Sequence, residues 1–123
     1  MAAATNFLEN EVLDHVLGTG SYTMPANQFI KLHIGDPGED ATGNPAAETT
    51  REAADWSAAS GGTAALAATV TWTSVSTSET YSHFSIWDAS TAGNPLIYGA
   101  LDTPVAVTAG GTFNLTACPV SLA

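Results

Sequence analysis

Basic side chains are almost missing from this 123-residue chain, where Lys31 and Arg51 face twelve Asp and Glu and leave a formal charge of −10. A sequence-independent nucleic-acid surface needs several Lys or Arg to neutralise phosphates, and adsorption to anionic lipid needs them clustered. No nucleic-acid partner and no membrane partner is therefore expected. Cysteine is almost as scarce: with Cys118 alone, an internal disulfide, a CxxC metal framework and a redox pair are all excluded. Within Leu115-Thr116-Ala117-Cys118-Pro119-Val120 it reads as a small buried hydrophobe in a strand. Long apolar runs are missing too, none approaching the roughly 18 residues of a membrane span. The N-terminus lacks the basic-then-apolar pattern of a signal peptide, so synthesis in a cytoplasm as a soluble protein is expected.

What is present points to β structure. Hydrophobic residues make up 45% and charged residues only 11%, against roughly 25% charged in ordinary soluble domains. Ala, Thr and Ser supply about two-fifths of the chain, and β-branched Thr suits the solvated face of a pleated sheet. Residues 1–123 are of a length for one domain. The expected fold class is mainly β, a single antiparallel β-sandwich of jelly-roll-like kind with one N-terminal α-helix.

That helix is predicted over residues 6–17, with Asn6 as cap, Glu9 completing a capping box and Gly18 ending it. Leu8, Val12, Leu13, Val16 and Leu17 share one half of its wheel, and Asn10, Glu11, Asp14 and His15 share the other. The apolar half is expected to dock on the domain's own sheet in preference to a neighbouring subunit. Gln28 to Gly35 alternates as a strand with one buried face, Ile30, Leu32 and Ile34 inward, and places His33 on the opposite, sheet-surface or interface side. Residues 35–65, rich in Gly, Pro and acids, read as long contact loops with a short strand near Thr49 to Glu52. A meander follows: Ala68–Val75, His83–Asp88, Leu96–Leu101, Val105–Thr108 and Thr112–Val120, with Trp72, Phe84, Ile86, Leu96, Tyr98, Phe113 and Leu115 in the core.

Motifs that carry chemistry are weak. There is no GxSxG elbow, Walker loop, HExxH or GxGxxG. Ser82, His83, Ser85 and Asp88 are close in sequence, but strand alternation puts Asp88 on the face away from His83 and Ser85. Asp88 and Asp102 could be proposed as a glycosidase acid and base, though nothing in their context singles them out. The acidic run Asp36-Pro37-Gly38-Glu39-Asp40 lacks the ligand count of a calcium loop and reads as solvated turns. Asn114-Leu115-Thr116 matches the glycosylation triplet without a secretion signal. No catalytic residue, metal or cofactor is expected.

The ordered pieces resemble a known group. The helix Asn6–Leu17, then Tyr22-Thr23-Met24-Pro25, a strand closed by Gly35-Asp36-Pro37, Val70-Thr71-Trp72, His83-Phe84-Ser85-Ile86-Trp87-Asp88-Ala89 and Leu96-Ile97-Tyr98-Gly99-Ala100-Leu101 look like small tailed-bacteriophage virion proteins, described as tail-fibre-like or as capsid cement proteins. Nearly the whole chain takes part. The segment after the acidic loop departs from the Gly-rich, aromatic, Arg-containing pattern of such proteins, Arg51 and Trp56 being the counterparts. The resemblance implies a non-enzymatic structural protein, and a charge of −10, repelled by packaged DNA, favours the outer capsid surface. A shaft would need repeats, which are absent. The expectation is thus a capsid cement or decoration protein that stabilises major capsid protein contacts, self-associated as a homotrimer, with a tail-fibre component contacting a host receptor or glycan as the alternative. Phe7, Leu8, Val12, Arg51 and Trp56 are the expected interface residues.

Overall fold

The computed structural model describes residues 2–122. Strand β1 (Ala2–Ala4) leads directly into helix α1 (Asn6–Leu17), as the periodicity predicts. The cap, however, is Thr5 and not Asn6: Thr5 is extended at φ −76°, ψ 162°, and its hydroxyl oxygen accepts the Leu8 N–H at 3.3 Å. The same hydroxyl donates to the Pro95 carbonyl at 2.7 Å, so one buried side chain both starts the helix and ties it to a distant strand. Gly18 ends the helix at φ +80°, a conformation that suits a residue without Cβ, and its N–H donates to the Asp14 carbonyl.

Strands β2 (Gln28–His33), β3 (Glu52–Ala54), β6 (Glu79–Trp87) and β7 (Pro95–Val107) join β1 in one antiparallel sheet of order β1-β7-β6-β2-β3. Two short ribbons complete the set, β4 (Thr63–Ala64) with β9 (Val120–Ser121) and β5 (Val70–Trp72) with β8 (Phe113–Leu115). The fold is mainly β with one helix, and the ribbons lie against one sheet face in a sandwich-like arrangement. Register explains which residues meet there: Ile30 pairs with Ile86 and Leu32 with Phe84, and all four are buried with Trp72, Tyr81, Val70, Phe113 and Leu115. Phe113 is sandwiched, with ring centroids 5.7 Å from Trp72 and 5.3 Å from Tyr81. Each such side chain withdrawn from water contributes about 1.5–3 kcal/mol.

The structure departs from the expected elements in five places. The runs Leu96–Leu101 and Val105–Thr108 are one strand, because β7 passes Pro104 through a bulge: His83 pairs with Ala100 and Tyr81 with Val105, leaving residues 101–104 opposite Ser82 alone. The short strand expected near Thr49 to Glu52 lies slightly later, at Glu52–Ala54, since pairing with Gln28–Ile30 and not side-chain propensity creates it, and the same region also holds β4. Tyr98 is half-buried and no core residue; its hydroxyl donates to the Glu39 carboxylate at 2.8 Å. Cys118 is buried as expected but lies in irregular chain between β8 and β9, where burial pushes its thiol up to about 12. Ile34, just beyond β2, is exposed.

Candidate functional site

Two surfaces gather the residues of interest. On the first, α1 docks by its opening turns only. Leu8 is buried against Ala4 and Leu96, with Phe7, Val12 and Tyr22 half-buried around them, and the Phe7 and Tyr22 rings meet edge to face at 6.5 Å. Beyond Val12 the apolar half of the helix leaves the protein: Leu13, Val16 and Leu17 are 55%, 70% and 73% exposed. The expectation that the helix serves its own sheet therefore holds for its first half and fails for its second. A groove of about 270 Å³, lined by Ala4, Leu8, Val12, Leu13 and Leu122 with Glu9 at its rim, runs beside this ridge, and Met24 is 78% exposed. His15 lies on the exposed side, where its Nδ1 accepts the Tyr22 N–H at 3.2 Å.

The second surface is the sheet face opposite the core. His33, expected on an open sheet surface, is fully buried. Alternation does turn it away from Ile30 and Leu32, but the chain after β2 folds back over that face: Ile34 N–H donates to the Asn44 carbonyl and Ala46 N–H to that of Leu32. His33 Nδ1–H donates to the Gly43 carbonyl at 2.8 Å, and Ser85 Oγ–H donates to His33 Nε2 at 2.8 Å. Trp87 Nε1–H in turn donates to Ser85 Oγ at 2.7 Å. Burial holds His33 below its ordinary value, against the opposing pull of the Gly43 carbonyl, which fixes it neutral in the Nδ1–H tautomer this chain of bonds requires.

Arg51 lies over the Trp87 ring, its Cζ 3.9 Å from the centroid, and Nη1 donates to the carbonyls of Ala89 at 3.0 Å and Ala92 at 2.7 Å. Asp88 holds the same turn from the other side, accepting the Asn94 N–H at 2.7 Å and its side-chain amide at 3.1 Å.

Among the expected interface residues, Phe7, Leu8 and Val12 come together. Trp56 joins Leu8 in lining an apolar pocket with Tyr22 and Leu96, whereas Arg51 belongs to the opposite sheet face. Ser82, His83, Ser85 and Asp88 do not converge. His83 bonds its neighbour Ser82 at 2.8 Å, Asp88 is committed to Asn94, and Ser85 is sealed against His33 with no exposed surface. Asp36 and Asp40 accept the N–H groups of Gly38 and Thr42, the turn role expected of them, and among the described residues no His, Cys, Asp and Glu cluster could hold a metal. Glu48 and Glu79 escaped notice in the sequence: Glu48 accepts from Thr50 and Ser76 N–H, Glu79 from Ala47 N–H, so both carboxylates anchor loops.

The order of these elements, helix, buried His33 strand, Trp72 ribbon and the β6-β7 pair, runs across nearly the full sequence, and residues 3–123 match the family described as podophage GP4 fiber I protein gp80. The chain belongs to this family. No curated protein matches the sequence. As a member of the fibre-protein family, it is a bacteriophage structural protein and a component of the virion. Both surfaces of this gp80-family chain suit that class, for one offers apolar area and the other a rigid polar frame.

Proposed function

We propose that the chain is a non-enzymatic subunit of the podophage fibre apparatus, joined to its neighbours through the outer half of α1. The observation that carries this reading is the ridge Leu13, Val16 and Leu17, more than half exposed on a helix whose other end is firmly docked. Apolar area of this kind on a structural protein supports an interface with another virion subunit. Since the chain holds only two cations, such contacts rest on apolar burial and should weaken little in salt. A trimer of the chain is the self-association proposed, read by analytical ultracentrifugation.

A second reading is a capsid cement protein bound to the major capsid protein on the outer shell. A compact chain without shaft repeats and with a charge of −10 favours it. Binding only the assembled shell would stabilise that shell by mass action. Mixing the purified protein with isolated tails and with empty capsids lacking it, then sedimenting each and counting bound copies, separates the two. Few copies held by tails alone supports the fibre role. Saturable binding in many copies to shells overturns it in favour of cement.

A further inference from the structure

The chain's two cations occupy one place. Lys31, on β2, and Arg51, just before β3, line a single open cleft of about 490 Å³ together with Thr49, Thr50, Ser90 and Thr91. In a protein with twelve carboxylates, neither cation has an ion-pair partner among the described residues. Asp88, whose charge acts on Arg51, spends both oxygens on Asn94. The cleft is thus a positive, hydroxyl-lined spot on an otherwise acidic molecule. Loss of hydration, and after it the charge of Arg51, lowers the proton affinity of Lys31, as expected where two like charges lie close together.

Arg51 is also set in advance. Its guanidinium stacks on Trp87 and its two carbonyl bonds use Nη1, leaving Nη2 and Nε, three of the five N–H groups of a guanidinium, without an acceptor among the described residues. The turn that supplies those carbonyls is itself rigid. Ala92 and Gly93 hold φ +54° and +74°, and a Cβ on Gly93 would lie 2.4 Å from Asp88 Oδ1 and 2.8 Å from the Ala89 Cβ. A planar fork held still suits a planar carboxylate or a phosphate, and the four hydroxyl side chains suit a polyhydroxylated ring. Polyanions fit poorly, since two cations neutralise little and the net charge repels the rest.

We propose that this cleft binds an acidic sugar, Lys31 and Arg51 taking its anionic group and Thr49, Thr50, Ser90 and Thr91 its hydroxyls. The proposal goes beyond the fibre reading and is independent of where in the virion the chain sits, because it is tested on the purified protein.

Galacturonate and glucose 6-phosphate, the carboxylate and phosphate forms of the anion, are titrated calorimetrically beside galactose, glucose and inorganic phosphate, with backbone amide shifts followed by NMR. Saturable binding of at least one acidic sugar, with shifts in residues 49–51 and 90–92 and affinity at least tenfold above its neutral counterpart and above inorganic phosphate, is expected. The acidic sugar that binds names the anion. Arg51→Gln and Lys31→Gln should each weaken that binding tenfold or more. Among the described residues the Lys31 side chain makes no hydrogen bond, so Lys31→Gln keeps the test free of unfolding. Failure of both acidic sugars to bind at millimolar concentration, equal binding of the neutral sugars or of phosphate, or indifference to Lys31→Gln overturns the proposal.

Discussion

The two faces of the five-stranded sheet are built by different means. One is sealed by aromatic and aliphatic bulk, with Trp72, Tyr81, Phe84 and Phe113 in mutual contact or in the same cluster. The other is sealed by a relay of hydrogen bonds, Trp87 to Ser85 to His33 to the Gly43 carbonyl, under a loop. Bulk tolerates no specific direction but demands volume; the relay demands that every donor and acceptor be matched. The first face should therefore break through cavities and the second through single atoms or protons.

The largest effect belongs to the bulk face. Phe84→Ala should cost about 3–5 kcal/mol, read as a shift of the urea midpoint with unchanged slope. A loss below about 1 kcal/mol would mean that the apolar face is not the dominant core. On the polar face, Ser85→Ala removes one oxygen and strands the Trp87 donor, at an expected cost of about 1–3 kcal/mol. Equality of wild-type and variant midpoints would dissolve the relay.

The relay also sets a pH dependence on the acid side of neutrality. His33 is held neutral below its ordinary value, so below about pH 6.5 the unfolded chain binds a proton that the native chain does not. This contribution is intact above that pH and is lost as pH falls toward the native value. Midpoints measured at successive pH values should fall more steeply in wild type than in His33→Gln; parallel slopes would contradict the assignment. A smaller effect of opposite sign is expected at Tyr81, whose buried hydroxyl has no hydrogen-bond partner among the described residues. Tyr81→Phe should leave stability unchanged or raise it by up to about 1 kcal/mol. Smallest of all, Val16→Ser with Leu17→Ser should stay within about 0.5 kcal/mol for the isolated protein while reducing its retention on virion particles. These substitutions probe the helix more cleanly than deleting residues 1–17, which would also remove β1 from the sheet.

Periodicity made the helix bounds and strand β2 legible, because amphipathic spacing reports directly on burial. Thr5 displaced Asn6 as cap for a reason sequence does not contain, namely that the Pro95 carbonyl lies within reach of its hydroxyl. His33 illustrates the same limit: alternation assigned its face, but whether that face meets water depends on a loop whose return is fixed by Gly43 and Asn44, beyond the strand itself. The cleft was illegible altogether. Lys31 and Arg51 stand twenty residues apart, and only the β2-β3 pairing and the turn after β6 make them neighbours.

The closing strand β9 lies beside the opening strand, Ser121 Oγ donating to the Ala2 carbonyl at 3.0 Å and Ala4 N–H reaching the Leu122 carbonyl at 3.4 Å. In mechanical terms, a pull applied between residues 2 and 122 loads first these few bonds and the edge strand β1, at one margin of the sheet. A pull applied between α1 and the cleft must instead cross β7, β6 and β2, where several antiparallel ladders share the force. Tension entering through the helix would thus meet more hydrogen bonds than tension applied between residues 2 and 122.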